Sequence, residues 1–398
     1  MNRDDFNILN GNLVYFDNGA TTLKPKCVSN AILKYYNEYT ANAHRGDYKL
    51  SVLVDSLYEG TREKIKNFIN AKEAAEIVFT SGTTNSMNMI VFGFFKNYLK
   101  KDDEVLITLS EHASNIVPWF VLQQDIGIKI KYIELNDKHE VTMDNVKNAI
   151  TDKTKVISIA HVTNVIGDER PIKNIAKMAH DNDILMVVDA AQSIAHTRID
   201  VQDLDIDFMA FSGHKMYGPT GTGVLYGKFD LLEKMDPLNY GGGMNSMFTK
   251  DGYVELREIP TRLEGGTPNI EGVLGLGEAI SYIENIGINR ISEYEKSLRK
   301  YLIERLSELN FIEIYNKDNN SNIVAFNIKG VFAQDTAIYL DKYNICARAG
   351  NHCAKMIDNV FNIGNTVRIS LSFYNTKEEI DLLINVLLNS SNIWKEIL

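Results

Sequence analysis

Short, wholly apolar runs alternate with stretches of helical periodicity through the first half of the chain. Residues 76–80, 104–108, 129–135, 155–160, 184–188 and 208–211 read as strands. Residues 87–99, 116–124, 142–150 and 172–181 carry apolar positions at helical spacing. Thr142 opens one of these helices as a hydroxyl N-cap, and Pro171 sits near the first turn of another. Residues 81–86, Ser-Gly-Thr-Thr-Asn-Ser, read as a turn between strand and helix. Strands that are apolar throughout must be covered on both faces, so the alternation predicts an α/β fold on a parallel sheet. Ligands of such sheets sit just beyond the carboxyl ends of the strands. The last third has another texture. Residues 280–309 form a long, charged helical stretch, 312–328 look like strands joined by polar turns, and 376–388 resemble an amphipathic helix. A smaller α/β domain is expected to begin near residue 285.

Length and composition narrow the class. The chain has 398 residues, more than one core usually holds, and its 44% apolar and 24% charged residues are those of an ordinary globular protein. The formal net charge is −10 and no long basic run occurs, so neither nucleic acid nor an anionic membrane is an expected partner. No apolar stretch is long enough for a membrane span, and the opening Met-Asn-Arg-Asp-Asp-Phe lacks an apolar signal core. The three cysteines, Cys27, Cys346 and Cys353, contain no Cys-x-x-Cys pair, so no structural metal is expected. Few, unpaired thiols point to a reducing, cytoplasmic setting.

Three strand ends carry the candidate chemistry. Asp189 closes an apolar strand, where a carboxylate is costly to bury unless paired; it pairs with a cationic ring nitrogen or caps the next turn. Lys215 follows the strand at 208–211 inside a glycine-rich loop, as a Schiff-base amine or as a solvated lysine. Residues 80–86 place hydroxyls and backbone N–H groups at a helix start, as an anion site or as an ordinary N-cap. Pyridoxal phosphate requires all three: a lysine for its aldehyde, an aspartate for its pyridine nitrogen and a cradle for its phosphate. A P-loop at Gly227-Lys228 fails, because Thr222 and Phe229 stand where glycine and a hydroxyl are needed. His139, His180 and His196 read as surface or helix-end residues.

In the last third, Cys353 follows a glycine-containing turn beside His352 and near Arg348, positive neighbours that favour a thiolate. Cys346 reads as packing and Cys27 has no constellation around it. Arg368 sits within a short strand, paired with a substrate carboxylate or in a structural ion pair.

The chain resembles the class V aminotransferase family of pyridoxal-phosphate enzymes, and within it the SUF-type (group II) cysteine desulfurases and selenocysteine lyases. The runs that carry the likeness include Tyr15-Phe-Asp-Asn-Gly-Ala-Thr-Thr22, Asn42-Ala-His-Arg-Gly46, Ser81-Gly-Thr-Thr-Asn85, Glu111-His-Ala-Ser-Asn115, Ser212-Gly-His-Lys215, Glu264-Gly-Gly-Thr-Pro-Asn269 and Arg348-Ala-Gly-Asn-His-Cys353. The resemblance implies fold-type I: a large domain, residues 24–284, with a mostly parallel seven-stranded sheet covered by helices. Residues 1–23 and 285–398 would form a small α/β domain carrying the cysteine loop. It implies that Lys215 holds the cofactor and moves the α-proton, Asp189 meets the pyridinium, and His112 stacks on the ring. Gln192 and Asn164 would contact the phenolic oxygen or substrate. Thr83, Thr84, Ser212 and His214 would hold the phosphate, with Thr267 completing the cradle from a second subunit. Arg368 would bind the substrate carboxylate, and Arg348, His44 and Arg45 would line the entrance. Cys353 would take sulfur from L-cysteine, leaving alanine and a persulfide for an acceptor protein in iron–sulfur cluster assembly. A selenocysteine lyase, or another class V enzyme working without the thiol, is the alternative. After Cys353 the run Ala-Lys-Met-Ile replaces the commoner Ala-x-Pro-Leu.

Overall fold

All six expected strands form in the computed structural model, which describes residues 3–44, 46–362 and 364–392, and a seventh joins them. They are β1 (Ile77–Thr80), β2 (Glu104–Ile107), β3 (Lys129–Tyr132), β4 (Thr154–Ala160), β5 (Leu185–Asp189), β6 (Phe208–Ser212) and β7 (Gly223–Gly227). Their order is β1-β7-β6-β5-β4-β2-β3, and only β7 runs against its neighbours. Successive residues of a strand face opposite sides, and both sides are apolar. Phe79, Leu106, Ile157, Val188 and Phe211 pack on one face; Val78, Val105, Val156, Val187 and Ala210 pack on the other. That two-sided burial is why these runs read as continuous apolar stretches.

The seventh strand escapes a reading by apolar runs because glycines bound it. Gly223 is required there: a Cβ on it would lie 2.4 Å from the Cα of Gly82. Gly82 itself holds φ +147°, and the chain enters a helix directly after it, at Thr83. The turn expected over 81–86 and the helix expected from 87 are therefore corrected: Thr83–Asn88 is helical, continuing through a π-helical segment, Met89–Phe95. Hydroxyl and amide residues, weak helix formers, hide that first turn in the sequence. The long helix expected over 280–309 is two helices, Ile270–Ile286 and Ile288–Ser307, broken at Gly287 with φ +91°. The first of them packs against Lys26–Glu38 and Lys49–Ile69, two helices that the apolar pattern did not reveal.

A second sheet contains β8 (Ile312–Ile314), β9 (Ile323–Ile328), β10 (Arg348–Gly350) and β11 (Thr366–Ser370), in the order β8-β9-β11-β10 and antiparallel throughout. Its core, with Leu298, Leu302, Val324, Phe326, Ile369 and Leu383, is a separate cluster that also takes in Val14 and Phe16 from the start of the chain. Val14–Tyr15 pairs with Ile345–Cys346, and Asp17 bridges to Ser370. The helix Lys377–Leu388 begins with a capping box of Thr376 and Glu379. Among the described residues no helix is long and apolar enough to cross a membrane.

The contact between Gly223 and Gly82 gives a test of how tightly fold and cavity are joined. Gly223→Ala should lower stability by about 1–3 kcal/mol, the usual penalty of overpacking, measured as a fall in the urea midpoint. An unchanged midpoint would show that β7 has slack beneath the Gly82 turn.

Candidate active site

The ends of β4, β5 and β6, the loop after β2 and the turn after β1 surround a cavity of about 350 Å³, closed on one side by residues of the second sheet. Lys215 enters it from a single 3-10 turn after β6. Burial pulls its ammonium from the ordinary 10.5 down to about 8; Asp189 opposes that shift and Arg368 adds to it. Asp189, the last residue of β5, is buried, and burial pushes its carboxyl from 3.8 up to about 6 against the pull of the Ala191 amide and Lys215. Its Oδ1 accepts the Ala191 N–H at 2.9 Å.

His112 caps the turn Ala113–Asn115, its Nδ1 accepting the Ser114 N–H at 3.1 Å. Burial, with the charges of Lys215 and Arg368, lowers it from 6.5 to about 4. The ring is therefore neutral near pH 7, and because Nδ1 accepts, the proton sits on Nε2. The loop that carries it is anchored by Glu111, fully buried and paired with fully buried Arg170. Glu111 also accepts from the Ala160 N–H at 2.8 Å and from Asn115 at 2.9 Å. This anchor was not singled out from the sequence.

Hydroxyls gather where the Gly82 turn meets β6. The Ser212 Oγ accepts the Thr83 N–H at 2.8 Å and lies 2.7 Å from the Thr83 hydroxyl. Thr84 and Ser114 share a 2.7 Å hydroxyl pair. His214 is lowered by burial to about 4, and its carbonyl is gripped by Thr21, Thr22 and Lys24. Gln192 donates to the carbonyl of Gly19 at 2.8 Å. Asn164 donates to the carbonyl of His352 at 2.7 Å and leaves its own buried Oδ1 without a partner.

Cys353 is exposed and lines the same cavity as Lys215, and it and His352 both hold left-handed backbone conformations, φ +59° and +52°. Such a pair persists only where the surroundings dictate it. Here the Ala113 N–H donates to the Cys353 carbonyl at 2.8 Å, and Asn351 accepts the Cys353 N–H at 3.2 Å. One expectation is corrected. His352 does not offer the thiol a positive charge: its ring is buried, lowered to about 3, and lies 3.1 Å from the carbonyl and hydroxyl of Thr366.

Arg368 is fully buried, donating to the Asn164 carbonyl at 2.9 Å and to Asp17 at 3.2 Å. Arg348 lines the same cavity and also pairs with Asp17, at 2.8 Å. Asp17 was missed, although it follows an apolar strand just as Asp189 does. Two expected residues lie elsewhere in this chain. His44 is held by Glu59 at 3.3 Å and stacks edge-on against Tyr58. Thr267 lines a second cavity of about 240 Å³ with Tyr58, Ser81 and Glu264. Arg45 lies outside the described residues. His196, expected at the surface, is drawn in by Glu295 at 2.7 Å, while His180 does end its helix, between Asp205 and Asp207. Cys346 is half-buried beside Val14–Tyr15.

The family model for aminotransferase class-V matches residues 14–383. The chain belongs to the class V aminotransferase family. A protein of Halalkalibacterium halodurans named "Probable cysteine desulfurase" is 44% identical over 376 residues, 93% of this chain and 91% of the relative. A cysteine desulfurase of Wigglesworthia glossinidia brevipalpis is 41% identical over 97% of this chain and 96% of its own. Among solved structures, the apo cysteine desulfurase from Thermococcus onnurineus NA1 superposes with a TM-score of 0.93 at 38% identity, covering 97% of this chain and 96% of that one. The cysteine desulfurase CsdA from Escherichia coli, in an S-sulfonic acid form, gives 0.93 at 35% identity, covering 98% of both. Within the class V family the chain stands among the cysteine desulfurases. The cofactor of these enzymes is pyridoxal phosphate.

The residues present fit that cofactor. An amine of lowered pKa, a buried carboxylate raised to about 6, a hydroxyl-lined turn with no side chain at Gly82 and an unpartnered amide oxygen on Asn164 all border one cavity.

Buried neutral histidines, three lining this cavity and His161 outside its lining, weaken the protein in acid. His112, His161 and His214 stand near 4 and His352 near 3, against 6.5 when unfolded, so the unfolded chain binds more protons between pH 6.5 and 4. Asp189, raised to about 6, works in the opposite direction below that pH, as do Asp168, Glu295, His44 and His180, which are also raised. The contribution of one buried ring is read by difference: relative to the cofactor-free wild type, the urea midpoint of His352→Gln should rise as the pH is lowered from 7 to 5. A difference between the two proteins that does not change over that range would contradict the burial of this ring.

Proposed function

We propose that this protein is a pyridoxal-phosphate-dependent cysteine desulfurase that converts L-cysteine to L-alanine and retains the sulfur as a persulfide on Cys353. The observation that carries the reading is one cavity bordered by Lys215, Asp189, the buried Arg368 and an exposed thiol on a pinned loop. Lys215 would hold the cofactor's aldehyde carbon, Asp189 its ring nitrogen and His112 its ring face. Gln192 and Asn164 would meet its phenolic oxygen or the substrate, and Thr83, Thr84, Ser212 and His214 would take its phosphate. When bound, pyridoxal phosphate supplies an electron sink for charge developing on the substrate.

The chain's own residues do the rest. Arg368 receives the substrate carboxylate, a charge-assisted contact made stronger by exclusion of water. The Lys215 amine, near 8, is close enough to neutrality to accept the α-proton and give it back. Neutral His112 offers a hydrogen bond from Nε2. The Cys353 thiolate attacks the substrate sulfur: an S–S bond forms, the Cβ–S bond breaks, and Cβ keeps the electron pair and takes a proton, completing alanine.

The finer reading places the enzyme in the SUF-type (group II) subgroup, as a cytoplasmic homodimer that passes persulfide sulfur to an acceptor protein for iron–sulfur cluster assembly. The exposure of Cys353 supports transfer to a partner. The positions of Thr267 and His44, away from their own chain's cavity, support a site shared between subunits. The separate core of the second sheet supports a large domain over 24–284 and a small one over 1–23 and 285–398.

Two variants test the assignment. With L-cysteine and a reductant, Cys353→Ala should lose alanine and sulfide formation by about a hundredfold or more, because no thiol remains to take the sulfur. Unchanged turnover would sink the persulfide route and favour a thiol-free class V enzyme. Borohydride reduction of the loaded protein should fix the cofactor to Lys215, with no modified peptide in Lys215→Ala.

A further inference from the structure

Arg368 meets a carboxylate before any substrate arrives. Asp17 stands where the strand Val14–Tyr15 runs on beside Ser370 and bridges two guanidinium groups. Its Oδ1 accepts from Nη2 of Arg368 at 3.2 Å. Both its oxygens accept from Arg348, at 3.0 Å from Nε to each and 2.8 Å from Nη2 to Oδ2. The sharing is unequal. Half-exposed Arg348 takes three contacts, whereas buried Arg368 has one, the longest, and its Nε has no partner. Two cations and one anion leave the group with a single net positive charge at the cavity, which one amino-acid carboxylate matches. Gly19 leaves room for the Arg368 guanidinium, since a Cβ there would lie only 3.1 Å from its Cζ.

We propose that Asp17 is a built-in competitor for the amino-acid carboxylate, partly satisfying Arg368 so that amino acids bind weakly enough for product to leave. This rests on the assignment of Arg368 to the substrate carboxylate. A buried cation without an anion is strongly unfavourable, and an incoming carboxylate recovers that loss when it binds. With Asp17 in place most of the loss is already recovered, so substrate and product gain less. Binding that is equally tight for substrate, product and transition state does not speed the reaction, and looser binding of alanine frees the site.

The test is a spectral titration of the cofactor-loaded enzyme with L-alanine and with ethylamine, the same amine without a carboxylate. Asp17→Asn should bind L-alanine about tenfold more tightly or better, with ethylamine unchanged, and KM for L-cysteine and kcat should fall together. If Asp17→Asn unfolds in buffer, L-alanine but not ethylamine should restore its cooperative melting; rescue by neither overturns the proposal. Weaker L-alanine binding in Asp17→Asn, or an equal change for both ligands, also overturns it. Arg368→Met separates the two levels. If it leaves L-alanine binding unchanged, the carboxylate assignment itself fails, and the role of Asp17 with it. If it weakens L-alanine while Asp17→Asn does not tighten it, only the competitor falls.

Discussion

Charge withdrawn from water is the constraint around which this protein is arranged. Most ionisable groups in and around the cavity are either paired or held neutral, because an unpaired buried charge costs several kcal/mol. Glu111 and Arg170 neutralise each other and, with hydrogen bonds to Thr108, Asn115 and Ala160, fix the loop that carries His112. Arg368 takes Asp17 and a backbone carbonyl. The imidazoles of His112, His161, His214 and His352 give up their protons instead. Lys215 and Asp189 remain the groups whose charge is least settled, shifted toward neutrality from opposite sides, near 8 and 6. In the proposed roles, one holding the cofactor and the other meeting its ring nitrogen, both gain from that shared environment.

The thiol belongs to the second sheet, yet its position is set by the first. The Ala113 amide and the Asn164 side chain reach across to the carbonyls of Cys353 and His352, holding two consecutive left-handed residues in place. The amino-terminal segment ties the two bodies from the other side, through Val14 and Phe16 in the second core and Asp17 on both arginines. The distance between amine and thiol therefore depends on several hydrogen bonds and one shared carboxylate rather than on the loop's own stiffness. The unusual run after Cys353 packs Ala354 and Ile357 against Val165 and Ile166, a small apolar anchor in its own right.

What could be read without coordinates follows from local rules. The strands of the large sheet declare themselves because two-sided burial leaves no room for polar residues. Asp189 and Lys215 declare themselves because a charge at the end of such a strand demands an explanation, and the run around Cys353 ties the chain to a family. Elements whose signal is glycine or hydroxyl were lost: β7, bounded by Gly223 and Gly227, and the first helical turn at Thr83. Their conformations follow from a close approach of two backbone segments far apart in sequence, which no local pattern records.

By itself, then, the sequence determined the layered α/β architecture and pointed to the strand ends and side chains that border the cavity. Only the tertiary structure decided how those groups are charged and which of them meet. His352 looks like a cation beside a thiol along the chain, but in space it is buried, neutral and directed at Thr366. Asp17 follows a short apolar run near the start of the chain but joins two arginines more than three hundred positions away. Desolvation and ion pairing depend on all the neighbours a group acquires in three dimensions, and those are fixed by folding rather than by adjacency in the chain.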